Sequence, residues 1–347
     1  MKATTQAGSE ASAEVRTLAD LANLAGVSPG TVSRALAGKS LVNIETRERI
    51  QALARHHGFR PNQMASRLRS RRTGVIGVVV PLGHAVRQHI SDPFFLTLLG
   101  HLADELTENG YDVMLNRAIP DGTPDWLERI TGSGMVDGVL LIGQSDQFEV
   151  IEAVSAHYRP MVAWGAHRAE QRHCSVGTDN IAGGRIAAEH LIAGGARKLA
   201  FLGETLSLEI GKRHKGAAMA AAEAGVPLLH IPINPAREAM RRQIKAAAEQ
   251  CEPGVDGIIA ASDVIAMNVL QCLHERGRRV PEDVQVVGFD DLPLATLTAP
   301  PLSTVRQEIA SGAKAMVERL KPRIEGEHTE TLIMPPRLVV RETTRAA

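Results

Sequence analysis

A chain of 347 residues allows one to three compact units, and 44% apolar residues are ample for buried cores. Aromatics make up only 3%, so those cores are aliphatic, as in parallel α/β sheets; the longest apolar run, about ten residues near Gly74–Gly83, is too short for a membrane helix, which takes about 20. Net charge is zero, yet residues 1–74 carry 12 Lys+Arg against 5 Asp+Glu and the remainder 27 against 34, which puts a basic head on an acidic body and points to a polyanionic partner for the head alone.

Residues 1–15 are small and polar, have no apolar h-region and read as a disordered tail rather than a secretory signal. Cys174, Cys251 and Cys272 are odd in number and lack CxxC spacing, so a reduced, cytoplasmic setting is expected. A headpiece is expected over residues 16–61. Its first helix is capped by Thr17 with Asp20 three residues on, carries an apolar stripe of Leu18, Leu21, Ala22 and Ala25, and stops at Gly26. Ser28 then caps a second helix with Pro29 at its first position, running to about Ala37. A third runs from a cap at Asn43 to a stop at Gly58. Residues 62–73, in the arginine-rich "RPNQMASRLRSRRTG", form a basic linker or a helix that forms only on a partner.

From Gly74 the pattern alternates strands ("VIGVVV", "YDVMLNR", "VDGVLLIG", "PMVAWG", "KLAFLG", "VDGIIAA", "VQVVGFDD") with helical segments at Phe94–Asn109, Ile181–Ala193, Lys212–Ala224, Glu238–Gln250 and Val264–Arg276. Alternating β and α units mean parallel sheets with right-handed crossovers. About 270 residues are large for one open sheet, so two doubly wound lobes are expected, with a ligand cleft where the strands' carboxyl ends face each other.

"TLADLANLAGVSPGTVSRALAGK", "TRERIQALARHHGFRPNQMASRL", "IGVVVP", "SDPFF", "DNIAGGRIAAEHLIAGGARKLAFLG", "ASDVIAMNVLQCLHERGRRVPEDVQVVGFDD" and "PPLSTVRQ", in this order, closely resemble the lactose-repressor family of bacterial transcription factors over about 330 of the 347 residues. The resemblance implies a helix-turn-helix headpiece (16–61), a hinge helix (62–73) and a two-lobe core (74–347) resembling periplasmic sugar-binding proteins. The chain would cross between lobes near Asp179, Thr304 and Pro335, giving an N-lobe of about 74–178 plus 305–334 and a C-lobe of about 179–304 plus 335–345. It further implies a homodimer or tetramer on double-stranded operator DNA and a small effector between the lobes; of these a homodimer and a sugar-like effector are expected, with no cofactor and no metal.

Carried over residue by residue, the second helix lies in the major groove with Ser28, Thr31 and Ser33 on phosphates and Arg34 on a guanine edge, whose O6 and N7 fit a guanidinium fork. Thr17, Asn43 and Asn62 are backbone contacts, although capping explains Thr17 and Asn43 equally well. Leu68 is the wedge for the minor groove, with Arg67 and its neighbours on phosphates. Pro29 and Gly30 stand where some members carry base-reading side chains, so discrimination is expected to rest on Arg34 and the hinge. In the core, Asp263 is the expected effector ligand, or else a helix cap. Arg213, in an RxxG pattern with Gly216, contacts effector or stabilises its loop; Phe94, Phe95 and Trp164 form an aromatic wall or core; Asp92, with Gln88 and His89 of an inserted loop, adds polar contacts. Gly165 and Gly211 replace polar or charged residues of typical members, so a roomier, less charged pocket is expected, with a disaccharide or glycoside as effector and a sugar acid or nucleobase as alternative.

Two other classes fit less well. A transport protein shares the two lobes but not the headpiece. An enzyme would need chemistry that no Walker loop, GxGxxG, GxSxG or HExxH motif supplies here, and His167 and His173 lack metal-ligand spacing.

Overall fold

The computed structural model describes residues 15–36, 42–59, 72–81, 90–118, 125–144, 147–234, 237–251 and 254–345. The chain divides into two compact units, one up to Thr73 and one from Gly74.

In the first unit, helices α1 (Leu18–Ala25), α2 (Pro29–Leu36) and α3 (Ile44–His56) enclose a small core of Leu21, Ala22, Ala25, Val32, Ala35, Val42, Ile50, Ala54 and Phe59. Local chemistry sets each boundary. Thr17 and Asp20 form a reciprocal capping box on α1, and Gly26 ends that helix at φ 63°. The Ser28 hydroxyl accepts the Thr31 N–H at 3.2 Å, and Asn43 accepts the Glu45 N–H at 3.0 Å. Long side chains of α3 then tie the helices together: Arg49 donates to the Ala25 carbonyl at 3.0 Å, and Gln51 to that of Ala35 at 3.4 Å.

The second unit has two six-stranded sheets, with strands β1 (Val75–Pro81), β2 (Asp112–Ala118), β3 (Gly138–Ile142), β4 (Met161–Trp164), β5 (Cys174–Thr178), β6 (Leu199–Leu202), β7 (Leu228–Ile231), β8 (Gly257–Ala260), β9 (Gln285–Asp290), β10 (Ser303–Arg306), β11 (Leu332–Met334) and β12 (Arg337–Val339). The first sheet runs β11-β5-β4-β3-β1-β2 and is parallel throughout. The second runs β12-β10-β9-β8-β6-β7 and is parallel except for its edge. There β12 pairs antiparallel with β10, so the two sheets are parallel-rich, with one antiparallel edge. Helices α4 (Pro93–Glu108), α5 (Trp126–Thr131), α6 (Phe148–Ser155), α7 (Asn180–Ala193), α8 (Leu208–Glu223), α9 (Arg237–Cys251), α10 (Asp263–Glu275) and α11 (Ile309–Ile324) connect the strands. As the composition requires, the cores are Val, Ile, Leu and Ala, with Phe201 and Phe289 as the large fillers of the second lobe.

The chain passes from the first sheet to the second at Asp179, returns between β10 and α11, and passes again at Pro335 and Pro336. Thr304 itself lies inside β10 of the second sheet, and the chain returns to the first sheet after Arg306. Where α7 meets α8 the backbones touch: a Cβ on Gly184 would sit 1.8 Å from the Arg213 carbonyl oxygen, and one on Gly216 1.9 Å from that of Ile181. Only glycine fits at these positions.

Candidate DNA-reading face and effector cleft

On the headpiece, the buried face of α2 is Val32 and Ala35, with Leu36 partly buried. Ser28, Pro29, Gly30 and Arg34 are exposed, and Thr31 and Ser33 half-buried. Ser28 and Thr31 share a hydroxyl–hydroxyl hydrogen bond of 2.9 Å at the helix start. These hydroxyls and the helix's first N–H groups form one polar, partially positive end, suited to a phosphate. Arg34 stands one turn along, in the last turn of α2. Thr17 and Asn43 are both engaged as caps, so capping accounts for them fully. Asn62, Arg67 and Leu68, together with Gln88 and His89 of the inserted loop, lie outside the described residues.

In the core, a cleft opens between the carboxyl ends of the two sheets. Strand ends supply Ile142, Gly143, Gln144, Trp164, Ala261, Ser262 and Asp290; helix starts supply Phe94, Phe95, Glu209, Ile210, Val264 and Ile265. Asp92 caps α4, accepting the Phe94 N–H at 2.9 Å, and burial pushes its carboxyl above the usual range. The rings of Phe94 and Trp164 lie 5.9 Å apart. Trp164 is only 4% exposed, because its indole fills the space left by Gly312, where a Cβ would come within 2.3 Å of the ring. It is therefore both core and cleft wall.

The polar end centres on Arg213. Its Nε donates to Asn180 at 2.8 Å and its Nη1 to the Ala261 carbonyl at 2.5 Å. The guanidinium lies 3.7 Å above the Phe289 ring and 3.7 Å from the Asp290 carboxylate. Burial pushes the Asp290 carboxyl up to about 7, against the pull of Arg213. Gln307 donates to Asp290 at 2.7 Å and completes this end.

Two expectations are corrected. Asp263 does not line the cleft, and it is not the cap either. Ser262 caps α10, accepting the Ile265 N–H at 3.3 Å, while the fully buried Asp263 carboxyl turns inward. There it accepts the Leu292 N–H at 2.8 Å and the Thr304 hydroxyl at 2.6 Å. Burial, reinforced by nearby Asp290, raises its pKa well above the carboxylate range. Asp290, the strand-end aspartate of "GFDD", is the one on the wall. The pocket itself carries several charged groups, and Gly165 does not open extra room. The room at Gly165 is taken by neighbours, since a Cβ there would lie 2.5 Å from the Gln144 amide and 2.8 Å from the Glu209 carboxylate. Asp92, Glu204, Glu209 and Asp290 give four carboxyl groups against the Arg213 guanidinium.

Comparison with known proteins agrees with this layout. Residues 17–62 match the model for bacterial regulatory proteins of the lacI family, and residues 188–344 that for a periplasmic binding protein-like domain. The helix-turn-helix transcriptional regulator CelR of Thermobifida fusca is 31% identical over 94% of this chain and 98% of its own. A ribose operon repressor of Halalkalibacterium halodurans is 30% identical over 95% and 97%. Among solved structures, a CelR–cellobiose complex superposes with a TM-score of 0.65 at 30% identity, covering 94% of this chain and 99% of that one. The lac repressor dimer bound to operator and anti-inducer shares the fold, with a TM-score of 0.82 at 23% identity over 95% and 99%. A helix-turn-helix headpiece on a two-sheet core, matched across nearly its whole length by such regulators, places this chain in the lacI family of bacterial transcriptional regulators.

Proposed function

We propose that the protein is a repressor of carbohydrate-utilisation genes that binds a pseudo-palindromic operator as a homodimer and responds to a neutral sugar in the cleft. The observation that carries the effector class is the wall itself. Phe94 and Trp164 offer an apolar face, and Gln144, Glu209, Asp290 and Gln307 offer amides and carboxyls suited to hydroxyls. Four carboxyl groups oppose an anionic ligand, which weighs against a sugar acid. CelR, a relative at 31% identity, is seen in complex with cellobiose.

A thermal-shift screen with cellobiose, ribose, gluconate and adenine tests the class. A ligand at a hundred times its Kd stabilises by about 2.7 kcal/mol, enough for a clear rise in Tm. A neutral sugar should give that rise, and Asp290→Ala should abolish it. Stabilisation by gluconate or adenine alone would overturn the reading.

On DNA, Arg34 is proposed as the base reader, helped by the hinge. With an operator selected from a random library by the full-length protein, Arg34→Ala should relax one base-pair position by about 1–3 kcal/mol in competition binding. Unchanged discrimination at every position would remove Arg34 from that role.

A further inference from the structure

A histidine that the sequence pattern leaves unassigned stands behind the cleft. His173, just before β5, is 1% exposed and has a polar partner on each ring nitrogen. Its Nδ1 meets the Glu152 carboxylate of α6, and its Nε2 lies 3.2 Å from the Gln144 Oε1. Gln144 is on the cleft wall, and its amide nitrogen donates to the Ala166 carbonyl at 3.2 Å.

The donors and acceptors of this chain fix its protons. The Ala166 carbonyl only accepts, so the Gln144 NH₂ points to it and the amide oxygen faces His173. Burial alone would raise the Glu152 carboxyl; hydrogen bonds from the His173 ring and from the Arg172 and His173 backbone N–H groups bring it below its ordinary value, so it too only accepts. In this arrangement both ring nitrogens of His173 donate only as the imidazolium, the form reached as pH falls through its lowered pKa. In neutral imidazole one nitrogen presents a lone pair. It would face either the Glu152 carboxylate or the Gln144 oxygen, and the second conflict is relieved by turning the amide. The amide also lies beside Glu209 at Gly165, so a turn changes which group the wall offers the ligand.

The geometry points to His173 as a positioning residue for the effector: protonated, it holds the Gln144 amide with one N–H free for a ligand oxygen, and deprotonated, it releases the amide. This rests on the effector reading proposed above. The groups that tune the imidazole come from three directions. Burial lowers its pKa, the Glu152 carboxylate on α6 raises it, and His167 of the preceding loop and Arg323 of α11 lower it. Arg168 reaches the same neighbourhood through Phe148, lying 4.0 Å over a ring whose centroid is 5.8 Å from that of His173. Because the net direction is downward, the transition lies on the acid side of the ordinary histidine range. The form that orders Gln144 is the protonated one, so sugar affinity rises as pH falls.

The test uses the full-length protein labelled with ¹⁵N on histidine and glutamine. Between pH 5 and 8 the His173 ring nitrogens should titrate, and the Gln144 side-chain NH₂ signals should move with the same midpoint. Glu152→Gln, which keeps a hydrogen-bonding side chain but removes the charge, should shift both midpoints to lower pH. Gln144 signals that ignore the His173 titration overturn the proposal, as does a midpoint that Glu152→Gln leaves in place. With cellobiose as probe, affinity should rise by roughly three- to tenfold from pH 8 to pH 5, about the worth of one hydrogen bond. His173→Phe should reduce that rise, leaving only the part carried by Asp290, whose carboxyl is pushed up to about 7, and if it does not fold, Gln144→Ala should reduce it instead. A pH profile identical in Gln144→Ala and the unaltered protein overturns the proposal. Failure of cellobiose and ribose to bind at any pH counts against the effector class, and the amide signals still decide the coupling.

Discussion

Replacing Arg213 by Met should lower stability by about 3–5 kcal/mol, because a charged partner is left buried when the other is removed. For a unit of this size that is a fall in Tm of about 6–20 °C, at about 2–4 °C per kcal/mol. The loss has identifiable parts. Asn180 and the Ala261 carbonyl lose donors at 2.8 and 2.5 Å, and Phe289 loses a cation stacked on its face. The Asp290 carboxyl, 3% exposed, loses its guanidinium. Adding Asp290→Asn to Arg213→Met should recover part of the loss, since the uncompensated charge is then gone. The measurement is a double-mutant cycle by urea unfolding. Additive effects would show that the two side chains do not interact. Because Arg213 also forms the polar end of the cleft, the single variant should give no stabilisation by sugar.

Asp263→Ala should cost about 2–4 kcal/mol without any ligand present, since it strips the partners from a buried backbone N–H at Leu292 and a buried hydroxyl at Thr304. Asp263→Asn should be much milder. Its amide can accept from Leu292 with its oxygen and donate to Thr304, and burial already holds the native carboxyl toward the neutral form. The sign of the pH dependence follows. A carboxyl whose folded pKa is raised contributes stability that is full at acid pH and lost as pH rises through the folded value. The gap between Asp263→Asn and the unaltered protein should therefore shrink, or reverse, from pH 5 to pH 8 in thermal melts. A pH-independent gap would mean that Asp263 stays ionised.

Asp263 also shows where sequence pattern stops. The end of "VDGIIAAS" marks a strand-to-helix turn, and the structure has that turn. Whether the aspartate there faces the cleft or the interior depends on Thr304 and Leu292, about 40 and 29 residues away, and no local pattern carries that. Caps were legible because they are local: Thr17 with Asp20, Ser28 with Thr31, Asn43 with Glu45. Strands with long apolar runs were legible too. Those built of "CSVGT", "LLHI", "STVR", "LIM" and "RLV" were not, being short, partly polar, or at sheet edges. Helices α5 and α6 have six and eight residues, too few for a periodicity to stand out, and Pro322 interrupts the pattern of α11. Of the cleft's carboxyl groups Asp92 was legible, but Glu204, Glu209 and Asp290 escaped for a different reason. Gly165 suggests empty space, but Glu209 arrives from another element to occupy it.

If α2 reads DNA as proposed above, its start leaves one position without a side chain. A Cβ on Gly30 would find its nearest neighbours, Arg34 Nη2 and Ser28 Oγ, both at 3.8 Å, ordinary contact distances, and the backbone there needs no glycine. Alanine is a better helix former than glycine by up to about 1 kcal/mol, so the headpiece tolerates side chains at this point. Headpiece stability therefore does not hold glycine at this position. On the proposed reading of α2, a single codon change there adds a side chain to the DNA-facing end at no cost in folding, a short evolutionary path from one set of target genes to another.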